Sequence, residues 1–142
     1  MINKKEALLV VFYEMGNVFG RTFLQKLMFL INKEIVETFK YQAYLYGPFS
    51  SELNDTLNEF VSAGLIEEKL LPGKSNHDYY QYSLTESGKN ETAKIFFSKE
   101  NIKEKQKIGE MCKKFIDFNA TELLRYVYQK YPDMARESKF VA

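Results

Sequence analysis

The chemistry available to this chain is narrow. One cysteine, Cys112, and one histidine, His77, stand far apart in 142 residues, too few for an internal disulfide or a zinc site. Cys112 falls with Ile108, Phe115 and Ile116 in an apolar helical pattern, so it is expected to pack as a small hydrophobe. A reactive thiol would need a lowered pKa, which the flanking Lys113 and Lys114 favour only weakly. Ser50 and Ser51 lack a nearby base to activate a hydroxyl and fit better as helix caps. The turn from Gly16 to Thr22 has the glycines of a phosphate loop but not its G-K-[ST] ending. Carboxylates are scattered rather than paired. The expectation is a non-enzymatic protein without metal or cofactor.

Charge offers a second kind of chemistry. The net charge is +1, which gives no global attraction to nucleic acid or anionic membrane. Residues 1–98 hold 10 Lys+Arg against 12 Asp+Glu, net −2, and residues 99–142 hold 10 against 7, net +3. Lys99, Lys103, Lys105, Lys107, Lys113 and Lys114 make up most of that excess, interleaved with Glu100, Glu104 and Glu110. Mixed signs on one helix point first to a solvated face. The alternative is a phosphate-tracking surface, assembled if the lysines gather on one side of a dimer.

The elements that must position these groups follow from periodicity. Asn3 to Met15 has Leu8, Val11, Phe12 and Met15 at helical spacing, with Gly16 as a stop. Thr22 and Gln25 have capping-box spacing ahead of a stripe of Leu24, Leu27, Met28, Ile31 and Ile35. Phe23, Phe29 and Leu30 widen that stripe, predicting a helix buried on more than one side. Tyr41 to Tyr46 reads as a short strand ended by Gly47-Pro48. Ser50 or Ser51 then caps a helix lined by Leu53, Leu57, Phe60 and Val61, which ends at Gly64. Leu65 to Leu71 and Tyr79 to Leu84 form a hairpin around a polar tip, and Thr85 caps a further helix in which Gly88 is unfavourable. A Lys/Glu-rich helix from about Glu100 to Phe118 and a last helix from Asn119, capped reciprocally with Glu122, complete the chain.

The longest apolar run, Ala7 to Tyr13, is far below the ~18 residues of a membrane span. No signal peptide is read, and a cytoplasmic location is expected. With 45% hydrophobic and 15% aromatic residues, the chain has apolar surface enough for one core. Residues 1–98 are expected to form that core, with 99–142 a helical extension packed on the same domain.

The order helix, helix, short strand, helix, strand, turn, strand predicts an α+β fold, mostly helical, of winged helix-turn-helix type. Gly64-Leu65-Ile66 and Tyr82-Ser83-Leu84-Thr85-Glu86-Ser87-Gly88 match the junctions of many winged-helix proteins. A narrower likeness lies in Leu24-Gln25-Lys26-Leu27-Met28-Phe29-Leu30, Tyr44, Tyr46-Gly47-Pro48 and Ser50-Ser51-Glu52-Leu53. These motifs, over about half the chain, resemble a poorly characterised prokaryotic group of winged-helix-like proteins, distantly similar to the Panacea domain of SocA-type antitoxins. The segment Leu123 to Tyr128 with Lys130-Tyr131-Pro132 is similar to the first group and less so to the antitoxins. The resemblance implies a module that binds another protein, such as a toxin.

Charge bears on that choice. The helix before the hairpin, Ser51 to Ala63, carries Glu52, Asp55 and Glu59 and no Lys or Arg, so it should be repelled by a duplex bearing one negative charge per ~1.7 Å. Its possible base readers are Asn54 and Asn58, and the hairpin tip adds Lys74. The leading expectation is therefore a protein contact made by Phe49, Glu52, Asp55, Glu59 and Tyr79, since exposed aromatics favour interfaces. The alternative is a DNA-binding regulator using Asn54, Asn58, Lys74, Lys103, Lys105 and Lys107, dimeric through its C-terminal helices. Tyr44, Tyr46 and Tyr80 are expected in the core; Lys26 is a separate candidate because it matches the motif of the resembling group, but its place on the polar side of its helix points first to solvent.

Overall fold

The computed structural model describes residues 1–138. Its first helix, α1 (Lys4–Met15), begins at Asn3, whose Oδ1 accepts from the Glu6 backbone N–H at 2.8 Å while Glu6 Oε1 accepts from the Asn3 N–H at 3.1 Å. This reciprocal cap satisfies two otherwise orphaned donors. Beyond it every residue from Ala7 to Phe12 is buried, so α1 is the central helix and not a surface amphipath.

A three-residue strand, β1 (Asn17–Phe19), follows where sequence predicted only a turn. It pairs antiparallel with the hairpin strand β5 (Tyr79–Leu84), setting Val18 opposite Tyr82. The other hairpin strand, β4 (Ile66–Leu71), completes a sheet of order β1-β5-β4. Helix α2 (Arg21–Glu34) starts at Gly20 without a side-chain cap, so the Thr22–Gln25 box does not form. Its residues Phe23 to Ile31 are all buried.

The single strand expected over Tyr41 to Tyr46 is instead a second small hairpin, β2 (Gln42–Tyr44) with β3 (Gly47–Phe49). Two-residue periodicity turns Ala43 and Pro48 inward and Tyr44 outward. Tyr44 and Tyr46 are 47% and 57% exposed, and Tyr80 on β5 is 44% exposed; the expectation that these three fill the core is corrected. Tyr82, one pleat along, is the buried tyrosine of the sheet.

Helix α3 (Ser51–Ser62) is capped by Ser50, whose Oγ accepts from the Leu53 N–H at 3.1 Å, as expected of these serines. Helix α4 (Glu86–Phe96) is capped by Thr85. The helix-weakening Gly88 is there for space: a Cβ would stand 1.9 Å from the Leu65 carbonyl oxygen. Helix α5 (Ile102–Phe115) lies on α1, and α6 (Ala120–Lys130), with its reciprocal Asn119/Glu122 cap, lies on α2. Ile108, Cys112, Phe115, Leu123 and Val127 thereby join one apolar cluster with α1, α2 and the sheet. Two long-range bonds join the first helices to the later ones: the Ile2 N–H donates to Glu104 Oε1 of α5 at 2.8 Å, and Tyr131 Oη donates to Glu34 at the end of α2 at 3.0 Å. Among the described residues the fold is α+β, with six α-helices and two small antiparallel sheets. Among the described residues no helix is long and apolar enough to cross a membrane.

Candidate functional site

The first turn of α2 holds the best-connected polar cluster. Arg21 Nε donates to Tyr82 Oη at 2.8 Å, and its Nη2 donates to Asn58 Oδ1 at 2.7 Å and to Glu68 Oε2 at 3.1 Å. Tyr82 Oη donates in turn to Glu68 at 2.6 Å. Burial and then the Glu68 carboxylate push the Tyr82 phenol up to about 12, while the bond from Tyr82 holds Glu68 below its ordinary range. The cluster pins α2, α3, β4 and β5 together, and its charges are internally matched.

One turn further, Gln25 joins α2 to the start of α3. Its Oε1 accepts from the Ser50 N–H at 2.8 Å, and its Nε2 donates to the Ser50 carbonyl at 2.9 Å and to Asn54 Oδ1 at 3.3 Å. The capping role assigned to Gln25 is thus replaced by a bridge between helices.

Lys26, next in sequence, is 2% exposed rather than solvated. Helix α6 and strand β3 cover the side of α2 on which a two-faced helix would show water, because α2 is enclosed on both flanks. Gly47 passes directly over the lysine stem with φ +99°; a Cβ there would meet Lys26 Cε at 3.1 Å and Leu124 Cδ1 at 2.7 Å. Among the described residues no acceptor or carboxylate partners the ammonium, and burial lowers its pKa to about 7. Lys26 opens into a cleft of about 180 Å³ lined by Arg21, Gln25, Tyr44, Phe49 and Asn54, with Gly47-Pro48 as one wall. The Tyr44 and Phe49 rings stand 5.3 Å apart at its side.

The residues expected at a protein contact are distributed differently. Phe49 lines the cleft, but Glu52 and Glu59 do not; they form ion pairs with Lys4 and Lys5 of α1. Asp55 is exposed on the outer face of α3. Tyr79 lies on β5 beside exposed Phe19 of β1, ring centres 6.2 Å apart. Lys26, a candidate by its motif but expected in solvent, is buried at the cleft, and Arg21 is not singled out by sequence. The widening of the α2 stripe held the signal, since Gln25 and Lys26 are the only polar residues between Phe23 and Ile31.

The expected nucleic-acid residues do not form one surface. Asn54 is at the cleft, Asn58 accepts from Arg21, and Lys74 is exposed in a 3-10 turn at Lys74–Asn76. Lys103 and Lys107 are exposed on α5, whereas Lys105 is buried and donates to the carbonyls of Ile95, Phe96 and Ser98 and to Ser98 Oγ at 2.8–3.2 Å. Lys105 therefore closes the C-terminus of α4, and its assignment to phosphate contact is corrected. Replacing it with Met removes the donor and keeps the stem; unfolding in urea should show a loss of about 2–3 kcal/mol. A loss below ~0.5 kcal/mol, typical of surface positions, would contradict this role. Cys112 is buried, and burial followed by the nearby Glu14 charge raises its thiol to about 12, the opposite of activation. Among the described residues no three His, Cys, Asp or Glu side chains cluster to hold a metal.

No family model matches the chain. A protein of Bacillus subtilis (strain 168), uncharacterized protein YwgA, is 34% identical over 89 residues, which are 62% of this chain and 53% of that one. The chain therefore spans about half the length of the curated relative it matches.

Proposed function

We propose that this chain is a non-enzymatic winged-helix module that binds another protein, in the manner of an antitoxin or adaptor. Helices α2 and α3 leading into the β4–β5 hairpin, with β1 as the third strand, support the winged-helix reading. The observation that carries the binding reading is the group of aromatic side chains at the cleft. Tyr44 and Tyr46 are half exposed on a hairpin that buries its other face, and Phe49 borders the cleft. Aromatic area left at the rim of a concave site is characteristic of interface anchors. The contact centre thus moves from the acidic residues of α3, two of which α1 already neutralises, to the β2–β3 hairpin.

The test is affinity capture with the full chain from extracts of cells that encode it, comparing wild type, Tyr44→Ala/Phe49→Ala, and Glu52→Lys/Asp55→Lys/Glu59→Lys. A partner held by wild type should be lost from the aromatic double variant, whose circular dichroism stays unchanged. Retention by that variant would overturn the reading.

A DNA-binding regulator is the second reading, and the Lys4–Glu52 and Lys5–Glu59 pairs favour it because they reduce the repulsion of α3 from a duplex. Fluorescence anisotropy with a mixed-sequence duplex separates the two. Binding that weakens steeply with salt supports the regulator, with Lys103→Gln/Lys107→Gln flattening the slope. No binding even at low salt removes it.

A further inference from the structure

Lys26 is a buried cation without a counter-charge. A methionine would fill the same volume without the desolvation that an unpaired ammonium suffers. The ammonium serves packing no better than an apolar group, but it suits a site that receives a negative group from outside.

The cleft around it has mainly apolar walls, Tyr44, Tyr46, Pro48 and Phe49, and the charged groups on its lining, Lys26 and Arg21, are both cationic. Gln25 is saturated by Ser50 and Asn54. Asn54 spends its Oδ1 on Gln25, and among the described residues nothing accepts from its Nδ2. Arg21 stands at the rim. Among the described residues no Asp or Glu lines the cleft, so a cationic ligand would find no acceptor charge there, whereas a carboxylate would meet the Lys26 and Asn54 donors and form a charge-assisted bond. At about 180 Å³ the space is smaller than the ~300–1,000 Å³ of ordinary small-molecule sites and matches one side chain. Exposed Tyr44 and Tyr46 beside it offer surface for the residues flanking such a side chain.

We infer that the cleft between α2 and the β2–β3 hairpin receives an acidic side chain, Glu or Asp, of a polypeptide partner, whose carboxylate accepts from the Lys26 ammonium and the Asn54 amide. This assignment rests on the protein-binding reading and names the chemistry of its partner. Binding takes up a proton when Lys26 is neutral. The other ionisable groups facing Lys26 are Arg21 of α2 and Tyr44 and Tyr46 at the hairpin; α3 presents Asn54 and α6 presents Leu124.

The experiment follows the ε-methylene signal of Lys26 by NMR in the full, 13C-lysine-labelled chain. The probes are the capped pentapeptide Ala-Ala-Glu-Ala-Ala, its Gln counterpart, propionate and inorganic phosphate. The Glu peptide should move the Lys26 signal saturably, with the Gln peptide at least tenfold weaker, and affinity should fall about tenfold from pH 6 to pH 8 as the ammonium deprotonates. In Lys26→Met the Glu peptide should no longer perturb Tyr44 and Phe49. Asn54→Ala should weaken binding several-fold without unfolding. Equal affinity of the Glu and Gln peptides would overturn the carboxylate assignment. Propionate or phosphate binding as tightly as the Glu peptide would overturn the polypeptide source. No shift with any probe would remove the site while leaving the module reading to the Tyr44/Phe49 capture test. Conversely, a partner held by the aromatic double variant would remove that reading even where the Glu peptide still moved Lys26.

Discussion

Lys26→Met should make the protein more stable at pH 6, by about 2–4 kcal/mol, because it removes an unpaired buried charge and keeps the volume. The same replacement should abolish a pH dependence of unusual sign. The folded-state pKa of Lys26 is about 7 against 10.5 for the exposed group, so between these values the unfolded chain binds the proton that the folded chain has lost. Stability therefore rises with pH through this window, and the penalty of the charged form is fully present below pH 7. Wild type should gain about 2 kcal/mol between pH 6 and pH 9, measured as the shift of the urea midpoint. Above pH 9 the effect is masked by Cys112, whose thiol stays protonated in the fold to about 12 while the unfolded thiol ionises; this term lowers stability as pH rises. A flat wild-type profile from pH 6 to pH 9 would show that the ammonium is paired in solution.

Gly47→Ala should cost about 2–4 kcal/mol, combining the strain of a left-handed φ with overpacking. The backbone φ of +99° disfavours any L side chain, and the new methyl meets Leu124 Cδ1 and Lys26 Cε. Its effect should be directional: the β2–β3 hairpin lifts from α2, so amide shifts concentrate on residues 41–50 and spare the β4–β5 hairpin. Combining it with Leu124→Ala relieves the overlap but not the φ strain. The double variant should lose less than the sum of the single losses, and strict additivity would show that the methyl does not meet Leu124.

Much of the framework was legible in the sequence because its signals are local. The Asn119/Glu122 cap, the Ser50 cap and the stop at Gly16 each depend on residues within a few positions of one another, and the β4–β5 hairpin on two strands adjacent in sequence. The missed features depend on distant partners. Strand β1 has three residues and exists through its pairing with β5. Lys26 and Lys105 read as solvated by residue type, but α6 with β3 encloses one and the carbonyl end of α4 captures the other. Tyr44, Tyr46 and Tyr80 are apolar enough for a core by composition, yet Tyr44 is on the outward side of β2, Tyr46 sits in the turn before β3, and Tyr80 shares the face of buried Tyr82 but lies further toward the hairpin tip, where it is left exposed. The cleft itself joins positions 21–26 to 44–54 and was visible only in part, as the two motifs that flank it.

The packing of α5 on α1 and of α6 on α2 has a consequence for biosynthesis. Helices α1 and α2 emerge from the ribosome before the surfaces that cover them, α5 and α6, which are translated about 100 residues later. At ~5–20 residues per second, the all-round apolar stretch of α1 waits roughly 5–20 s for its cover. During that interval the nascent chain exposes adhesive surface, a natural substrate for chaperones that shield unfolded polypeptide. A chain ending before α5 leaves this surface without the cover that α5 and α6 give it.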